Sequence, residues 1–485
     1  MSLETRTSIL SGLPLRLVQI VCVLLLGLKL AQWSMAGAFM DEAYYWMWGQ
    51  HPALSYYDHP PLNSWLLSLS SAVFGWNLFA LRFPVALAFF ADIAALWLIA
   101  RRIGGDWRGH FWLTLLLFLA TPIFSMVTNY ALPDHILLTA LLFATYFFLR
   151  FFMDRSAGQG GATRDLLLGG LFLGLAGLAK YNAAFLGLGV GLFVLLFDRA
   201  LLVQFRLYLA AALALVLQAP VVVWNATERF ASFAFQLGGR HAGLSAAIDG
   251  ILPFLLGVFI LVGPFLFWPI FRFAFARQNA APGIGFARTT FFVSTAVIVA
   301  LSFVTATLFH WNLAAYVAML PFIALYMRPR WLVPLQALWG AAFAVAMLVN
   351  FAFVPITNLS GWKDEATAWS YDWSTVAQAV ETARDKYDVG FVAGVDYTTT
   401  SLLGFALKDR NVVSLDPARE QYDFWFDRQA HAGQDAIIYA DRWRPITRAI
   451  ERRFASIEEI GTVMVTAQER NVYRQRIYLA KGYKP

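Results

Sequence analysis

Residues 78–100 read LFALRFPVALAFFADIAALWLIA and run directly into Arg101 and Arg102. A hydrocarbon core about 30 Å thick takes roughly 20 apolar residues of helix, so this stretch has the length and content of a membrane span that the two arginines end. Working outward, comparable runs lie near 15–34, 110–127, 134–153, 166–180, 183–197, 207–224, 251–271, 289–309, 311–327 and 331–350. A polytopic α-helical membrane protein of about 11 spans is expected, with 166–180 and 183–197 short enough to suit a shallower hairpin equally well.

Composition agrees with that reading. The 485 residues are 59% hydrophobic and only 14% charged, outside the range of soluble domains. The net charge of +7 does not point to nucleic acid, because the cations sit in short loops between apolar runs. Cys22 is the single cysteine, so no intrachain disulfide and no CxxC metal or redox site is expected.

Loop charge orients the chain. One alternate set of connections carries Arg6 and Arg16, Arg101, Arg102 and Arg108, Arg150, Arg155 and Arg164, Arg199 and Arg206, Arg272, Arg277 and Arg288, and Arg328 and Arg330. The opposite set carries Lys180, Arg229 and Arg240. By the positive-inside rule the N-terminus is expected in the cytoplasm, and an odd number of spans sends everything after about residue 351 outside. From residue 357 charges become frequent and apolar runs shrink to strand length. Strands are expected at 390–395, 411–415, 435–440, 462–466 and 472–480 and helices at 374–387 and 444–453, a small extracytoplasmic α/β domain spanning 357–485 after a membrane domain of 1–356.

The first outer loop, 35–77, carries no Lys or Arg but holds MDEAYYWMW at 40–48 and YYDHPPL at 56–62. Its second half, Leu62–Trp76, suits a helix lying in the membrane interface. Asp41, Glu42, Asp58 and His59 among Tyr and Trp rings suit a sugar site: rings stack on sugar faces, carboxylates hold hydroxyls, and one of them can take a proton. An aromatic belt with a helix N-cap acid explains the same residues, and on the residues alone both readings stand.

Taken together, DEAYYW…YYDHPPL, LRFPVALA at 81–88, ALPDHILLTALLF at 131–143, GLAGLAKYNAAFLG at 174–187 and HWNLAAY at 310–316 resemble the GT-C superfamily of membrane glycosyltransferases. The branch that they are most similar to holds the dolichyl-phosphate-mannose protein mannosyltransferases and the lipid A aminoarabinose transferase. The resemblance implies transfer of a sugar from a polyprenyl-phosphate (undecaprenyl-phosphate-like) donor to an acceptor outside the bacterial inner membrane: lipid A or another envelope glycan, with protein as an alternative acceptor. It implies Asp41 as general base and Asp134 as the second acid. Asp58 falls at a metal-associated glutamate of the family, with His310 as a second candidate ligand for Zn, Mg or Mn.

His59 falls where the family has a phosphate-contacting lysine. A neutral imidazole is the weaker phosphate ligand, so the phosphate role shifts toward Lys180, Arg82 and Arg240, with Tyr57 beside them. Arg82 suits structural pairing with Asp41 or Glu42 slightly better than phosphate contact. Glu42, Tyr45, Asn312 and Tyr316 are expected along the sugar cavity. A transporter of lipid-linked sugars is the rival, but it would place its ionisable groups near mid-membrane. Asp41, Asp58, Asp134, Lys180 and His310 are all expected at the outer edge.

Overall fold

The computed structural model of the chain describes residues 13–238, 248–276, 283–303, 307–328, 331–361 and 364–485. Helices come first: α1 (Leu15–Met35), α2 (Met40–Gln50), α3 (Leu62–Phe74), α4 (Leu78–Ile103), α5 (Trp107–Ala120), α6 (Pro122–Val127), α7 (Pro133–Ser156), α8 (Thr163–Ala179) and α9 (Ala184–Phe197). They continue with α10 (Phe205–Val216), α11 (Ala219–Thr227), α12 (Ala231–Leu237), α13 (Ile248–Val262), α14 (Phe267–Phe275), α15 (Ile284–Ser302), α16 (Leu313–Ile323) and α17 (Leu332–Leu348).

All eleven apolar runs are helical, but they are not equally long. Among the described residues, six helical segments have the length and hydropathy to cross a membrane unaided: 15–35, 78–103, 133–156, 284–302, 309–326 and 332–353. The pairs α10/α11 and α13/α14 are bent by 43° and 85° and raise the number to eight if each is one span. The other three expected crossings fall on α5 with 14 residues, α8 with 17 and α9 with 14, so length and hydropathy alone pick out six to eight of the expected 11 spans.

The breaks have local causes. Gly263, at φ 96°, ends α13 and Pro264 follows it; only glycine takes that backbone without strain. Pro122 interrupts the helix after α5 because it has no N–H to donate. Each break frees a carbonyl, which in lipid must find a partner inside the protein. One side chain serves both: Gln336 Nε2, fully buried on α17, donates to Ala120 O at 3.0 Å and Val262 O at 3.3 Å.

Two polar groups inside spans escape a hydropathy reading. Lys29 of α1 donates to Thr128 Oγ1 at 2.8 Å and Asn129 Oδ1 at 2.7 Å, tying α1 to the turn before α7. Asp92 of α4 accepts from Thr139 at 2.6 Å and pairs with His135 Nε2 at 3.0 Å on α7. Buried polar groups of this kind hold helices together only because each is satisfied by another.

After α17 the chain passes through short turns, α18 (Ile356–Leu359) and α19 (Glu365–Ala368), into the tail. There α20 (Trp373–Tyr387), β1 (Phe391–Gly394), α21 (Tyr397–Leu407), β2 (Val413–Ser414), β3 (Ala436–Asp441), α22 (Arg448–Glu451), β4 (Ser456–Ala467) and β5 (Arg470–Lys481) build one sheet of order β2-β1-β3-β5-β4. β1 is parallel to β2 and β3, and β5 pairs antiparallel with β3 and β4. The strands match the expected ones within a few residues, except that β4 starts earlier, at Ser456; helix α21 has no counterpart among the expected elements.

That helix docks the tail onto the loop after α1. Trp76 Nε1 donates to Phe405 O at 2.9 Å, Trp46 meets Phe405 edge to face, and Gly404 passes so near Met47 that a β-carbon would lie 2.9 Å from its Cε. Below this contact α3 turns Leu69 and Val73 outward, 64% and 65% exposed, as an interfacial helix facing lipid would.

Candidate active site

Asp41 and Glu42 occupy the first turn of α2, where the helix dipole favours negative charge. Their fates diverge. Glu42 is fully buried and accepts from Phe39 N at 2.9 Å, Ala131 N at 2.9 Å and the Arg82 guanidinium at 3.0 and 3.3 Å. Arg82 spends its remaining donors on Gln32, Trp33, Ala36 and Gly37 carbonyls at the end of α1. A side chain so fully engaged has no donor left for phosphate, and Glu42 has no face left for a sugar. The Arg82 phosphate role and the Glu42 cavity role expected from the sequence both give way to a clamp fixing α1, α2 and α4 against each other.

Freed from that clamp, Asp41 sits half-buried in a cluster of charge. Burial is the main cause that raises its carboxyl to about 6, and Asp134, Asp58 and Glu42 add to the rise while Lys180 opposes it. Asp134 follows Pro133 at the start of α7, and Lys180 caps the end of α8. The Lys180 ammonium donates to both Asp134 oxygens at 2.8 Å, and His310 Nε2 lies 3.8 Å from Asp134 Oδ1. So α2, α7, α8 and the turn before α16 bring Asp41, Asp134, Lys180 and His310 to one place.

Tyrosines line this cluster. Burial, then the charges of Asp41, Asp58 and Asp134, pushes the Tyr45 phenol well above its ordinary value. The Tyr397 phenol, at the start of α21, is raised in the same way by burial and by Asp41 and Asp58. Burial and then the charge of Asp58 raise the Tyr44 phenol, whose ring lies tilted against that of Tyr397 with centroids 4.5 Å apart. Tyr397 thus closes the site from the tail, a contribution absent from the sequence reading.

The remaining candidates divide. His59 is buried, lies 6.0 Å ring to ring from Tyr45, and shares with Lys180, Tyr181, Asn182, Gln236 and Trp311 a cavity of about 120 Å³. Tyr57 packs on Phe235 and Phe424 while its N–H donates to Gln421 Oε1 at 2.7 Å. Asn312 is buried between Ser294 and Thr295, and the Tyr316 hydroxyl donates to Phe309 O, so both brace helices rather than line the cavity. Arg240 lies outside the described residues.

The described side chains around Asp58 and His310 do not assemble a three-ligand zinc site. His310 approaches Asp134, and among the described residues no three His, Cys, Asp or Glu side chains converge as a ligand set. Two donors fall short of the three protein ligands that catalytic zinc takes.

A second, larger cavity of about 820 Å³ opens between residues 50–53, the α11–α12 junction and residues 410–425 of the tail.

Comparison with known proteins places this geometry. Residues 58–224 match the dolichyl-phosphate-mannose-protein mannosyltransferase family. The lipid A galacturonosyltransferase RgtD of Rhizobium johnstonii is 28% identical over 251 residues, half of each chain. An undecaprenyl phosphate-α-4-amino-4-deoxy-L-arabinose arabinosyl transferase of Pseudomonas fluorescens is 35% identical over 81 residues, 17% of this chain and 15% of that protein. The chain therefore spans about half the length of the first curated relative it matches, and less of the second.

The solved structure of ArnT from Cupriavidus metallidurans bound to undecaprenyl phosphate superposes with a TM-score of 0.64, covering 95% of this chain and 97% of that one at 15% identity. An Archaeoglobus fulgidus oligosaccharyltransferase gives 0.51 at 13% identity, over 88% of this chain and 69% of that one. The fold is shared along nearly the whole chain although few residues are.

Proposed function

We propose that this chain is a membrane glycosyltransferase of the GT-C superfamily that moves a sugar from a polyprenyl-phosphate donor to an acceptor on lipid A or a related envelope glycan, a reading its similarities support. The observation that carries the reading is the convergence of Asp41, its carboxyl raised to about 6, with the Asp134–Lys180 pair. A group titrating just below neutral pH is suited to general-base work.

In the proposed step the acceptor hydroxyl oxygen attacks the anomeric carbon while its proton passes to Asp41. The bond from that carbon to the phosphate oxygen breaks, and the phosphate leaves with the electron pair. Phosphate is an acidic leaving group and needs no general acid; it needs a cation. Lys180 supplies it by exchanging Asp134 for the phosphate, and His59 across the same small cavity adds a donor. Attack opposite the leaving group inverts the anomeric centre, and Tyr45 and Tyr397 keep water from the reacting atoms.

The proposed placement is a multi-pass protein of the bacterial inner membrane, with a catalytic body over 1–356 and an outer α/β domain over 357–485. Docking of α21 on α2 puts the tail and the first loop on one side of the membrane. An even number of crossings must then separate them. Counting α5/α6, α8 and α9 with the longer segments satisfies this; omitting all three leaves an odd number.

The test is reconstitution of the purified chain in nanodiscs with lipid A and an undecaprenyl-phosphate-linked sugar, followed by mass spectrometry of the lipid. A product heavier by one sugar, with inverted linkage, is expected. An unchanged acceptor across uronosyl, aminoarabinosyl and hexosyl donors would remove the assignment.

A further inference from the structure

The 820 Å³ groove beside the acids carries a pattern that sugar transfer alone does not use. Three arginines line it: Arg229 past the end of α11, Arg410 after α21, and Arg419 ahead of the 3-10 turn Gln421–Phe424. None makes an ion pair or a side-chain hydrogen bond with another described residue. Arg229 and Phe230 both hold left-handed backbone, φ 55° and 58°, a sharp turn at the rim that costs energy in residues with a β-carbon. The Arg419 guanidinium lies over the rings of Phe424 and Tyr57 at 5.0 and 5.9 Å, which holds it by cation–π attraction and leaves the N–H groups at its edge to meet a ligand.

Two carboxylates share the groove, Glu228 and Asp423, and Asp423 is engaged by Arg428 at 2.6 Å. Three open guanidinium groups therefore face one open carboxylate. Trp224 and Trp425 supply flat apolar faces at either side, with Trp425 fixed by stacking on His51 at 4.3 Å. Planar forks bind phosphate or carboxylate in pairs of parallel hydrogen bonds, and indole faces suit sugar rings. Volumes of roughly 300–1,000 Å³ are those of small-molecule sites, and this one has room for a short saccharide.

The groove is joined to the acids through one residue. Gln421 lines it, holds Tyr57 N through its side chain and donates its backbone N–H to the Tyr44 hydroxyl, and the charge of Asp58 acts on Tyr44 in turn. We propose that this groove is the acceptor subsite, in which Arg229, Arg410 and Arg419 hold an anionic group, phosphate or carboxylate, on the acceptor glycan. This rests on the reading above that the acceptor is a lipid-borne glycan. It adds that the acceptor must be charged, and that the tail and the α11–α12 turn read the charge together.

The experiment is a binding titration of the full chain in phosphatidylcholine nanodiscs. Its probes are lipid A, dephosphorylated lipid A and a uronic-acid glycolipid, against the parent chain and the R229A/R410A/R419A variant. The parent is expected to prefer the phosphorylated or the carboxylated probe over the neutral one. The variant should lose at least about 10-fold in affinity for that probe, the scale of lost hydrogen bonds to charged groups, while binding undecaprenyl phosphate as before. The lysine variant R229K/R410K/R419K should recover part of the loss.

Equal affinity of parent and variant would overturn the proposal, as would indifference to the anion or equal competition by phosphatidylglycerol vesicles, which marks mere adhesion to an acidic surface. Failure of the two proposals is separable. A chain that binds the anionic glycolipid through these arginines yet transfers nothing refutes the transferase assignment and leaves the groove. One that transfers sugar with an unchanged acceptor KM in the triple variant refutes the groove alone.

Discussion

The Lys180 ammonium lies 2.8 Å from each oxygen of Asp134. The cation proposed to receive the donor phosphate is thus held by a carboxylate, and phosphate must displace it. Two substitutions of one pair should then act in opposite directions on donor binding. Lys180→Met should weaken undecaprenyl-phosphate binding by about 10²-fold, the scale of losing one oriented charged donor. Asp134→Asn should bind it as tightly as the parent or tighter, because the Asp134 carboxylate no longer competes with phosphate for the ammonium. Titration by tryptophan fluorescence checks both, and equal weakening in the two variants would contradict the exchange.

The Asp41 carboxyl is raised to about 6. A base works only when ionised, so log kcat/KM is expected to fall with unit slope as pH drops below about 6 and to level off above it. The same charges set the direction for variants. Lys180→Met removes a group that lowers the Asp41 value, so the acid limb should move to higher pH; Asp134→Asn removes one that raises it, so the limb should move to lower pH. pH–rate profiles of the three proteins give the ordering, and coincident profiles would mean that Asp41 is not the group observed.

Glu42 and Arg82 are predicted to matter for assembly rather than for chemistry. Removing one partner of a buried, fully hydrogen-bonded ion pair costs about 3–5 kcal/mol, so Arg82→Met should lower the melting temperature in detergent and cut the folded yield. Protein that does fold should keep its affinity for polyprenyl phosphate. A stable variant with a raised donor Kd would return Arg82 to the phosphate site.

Gly404 lets α21 close on Met47. Gly404→Val should overpack that contact by about 1–3 kcal/mol and lift Tyr397 from the acids, reducing transfer while the helical bundle keeps its thermal stability. Hydrogen exchange over 397–407 should rise with the loss of activity. Full activity with increased exchange would show that the tail is dispensable for closure.

The membrane fold was legible because the run at 78–100 and its ten companions carry their signal in length and composition alone. The span count was less so, since Pro122, Gly263 and Pro264 break runs that hydropathy reads as continuous and Gln336 repairs the damage from a distant helix. Asp41, Asp134 and Lys180 were found by motif resemblance, and the structure brings them together. The pairing of Arg82 with Glu42 was one of the two roles the sequence offered, whereas the cavity role of Glu42 was misassigned because a buried clamp and a ligand site use the same residue types, and only hydrogen-bond partners tell them apart.

Tyr397 was missed for a local reason. It opens the stretch Tyr397-Thr398-Thr399-Thr400, whose β-branched run disfavours helix, yet Asp396 caps a helix there by accepting from Thr399 N at 3.0 Å. Asp396 three residues ahead of that N–H was the available signal.

The central claim is that Asp41 takes the acceptor proton, and Asp41→Asn tests it most directly, since the amide keeps the shape and removes the base. Sugar transfer to lipid A would be measured in nanodiscs beside undecaprenyl-phosphate affinity and melting temperature. Loss of transfer by about 10²–10⁴-fold, the range of general-base contributions, with binding and stability kept, is the predicted result. Transfer at the parent rate would remove Asp41 from the mechanism.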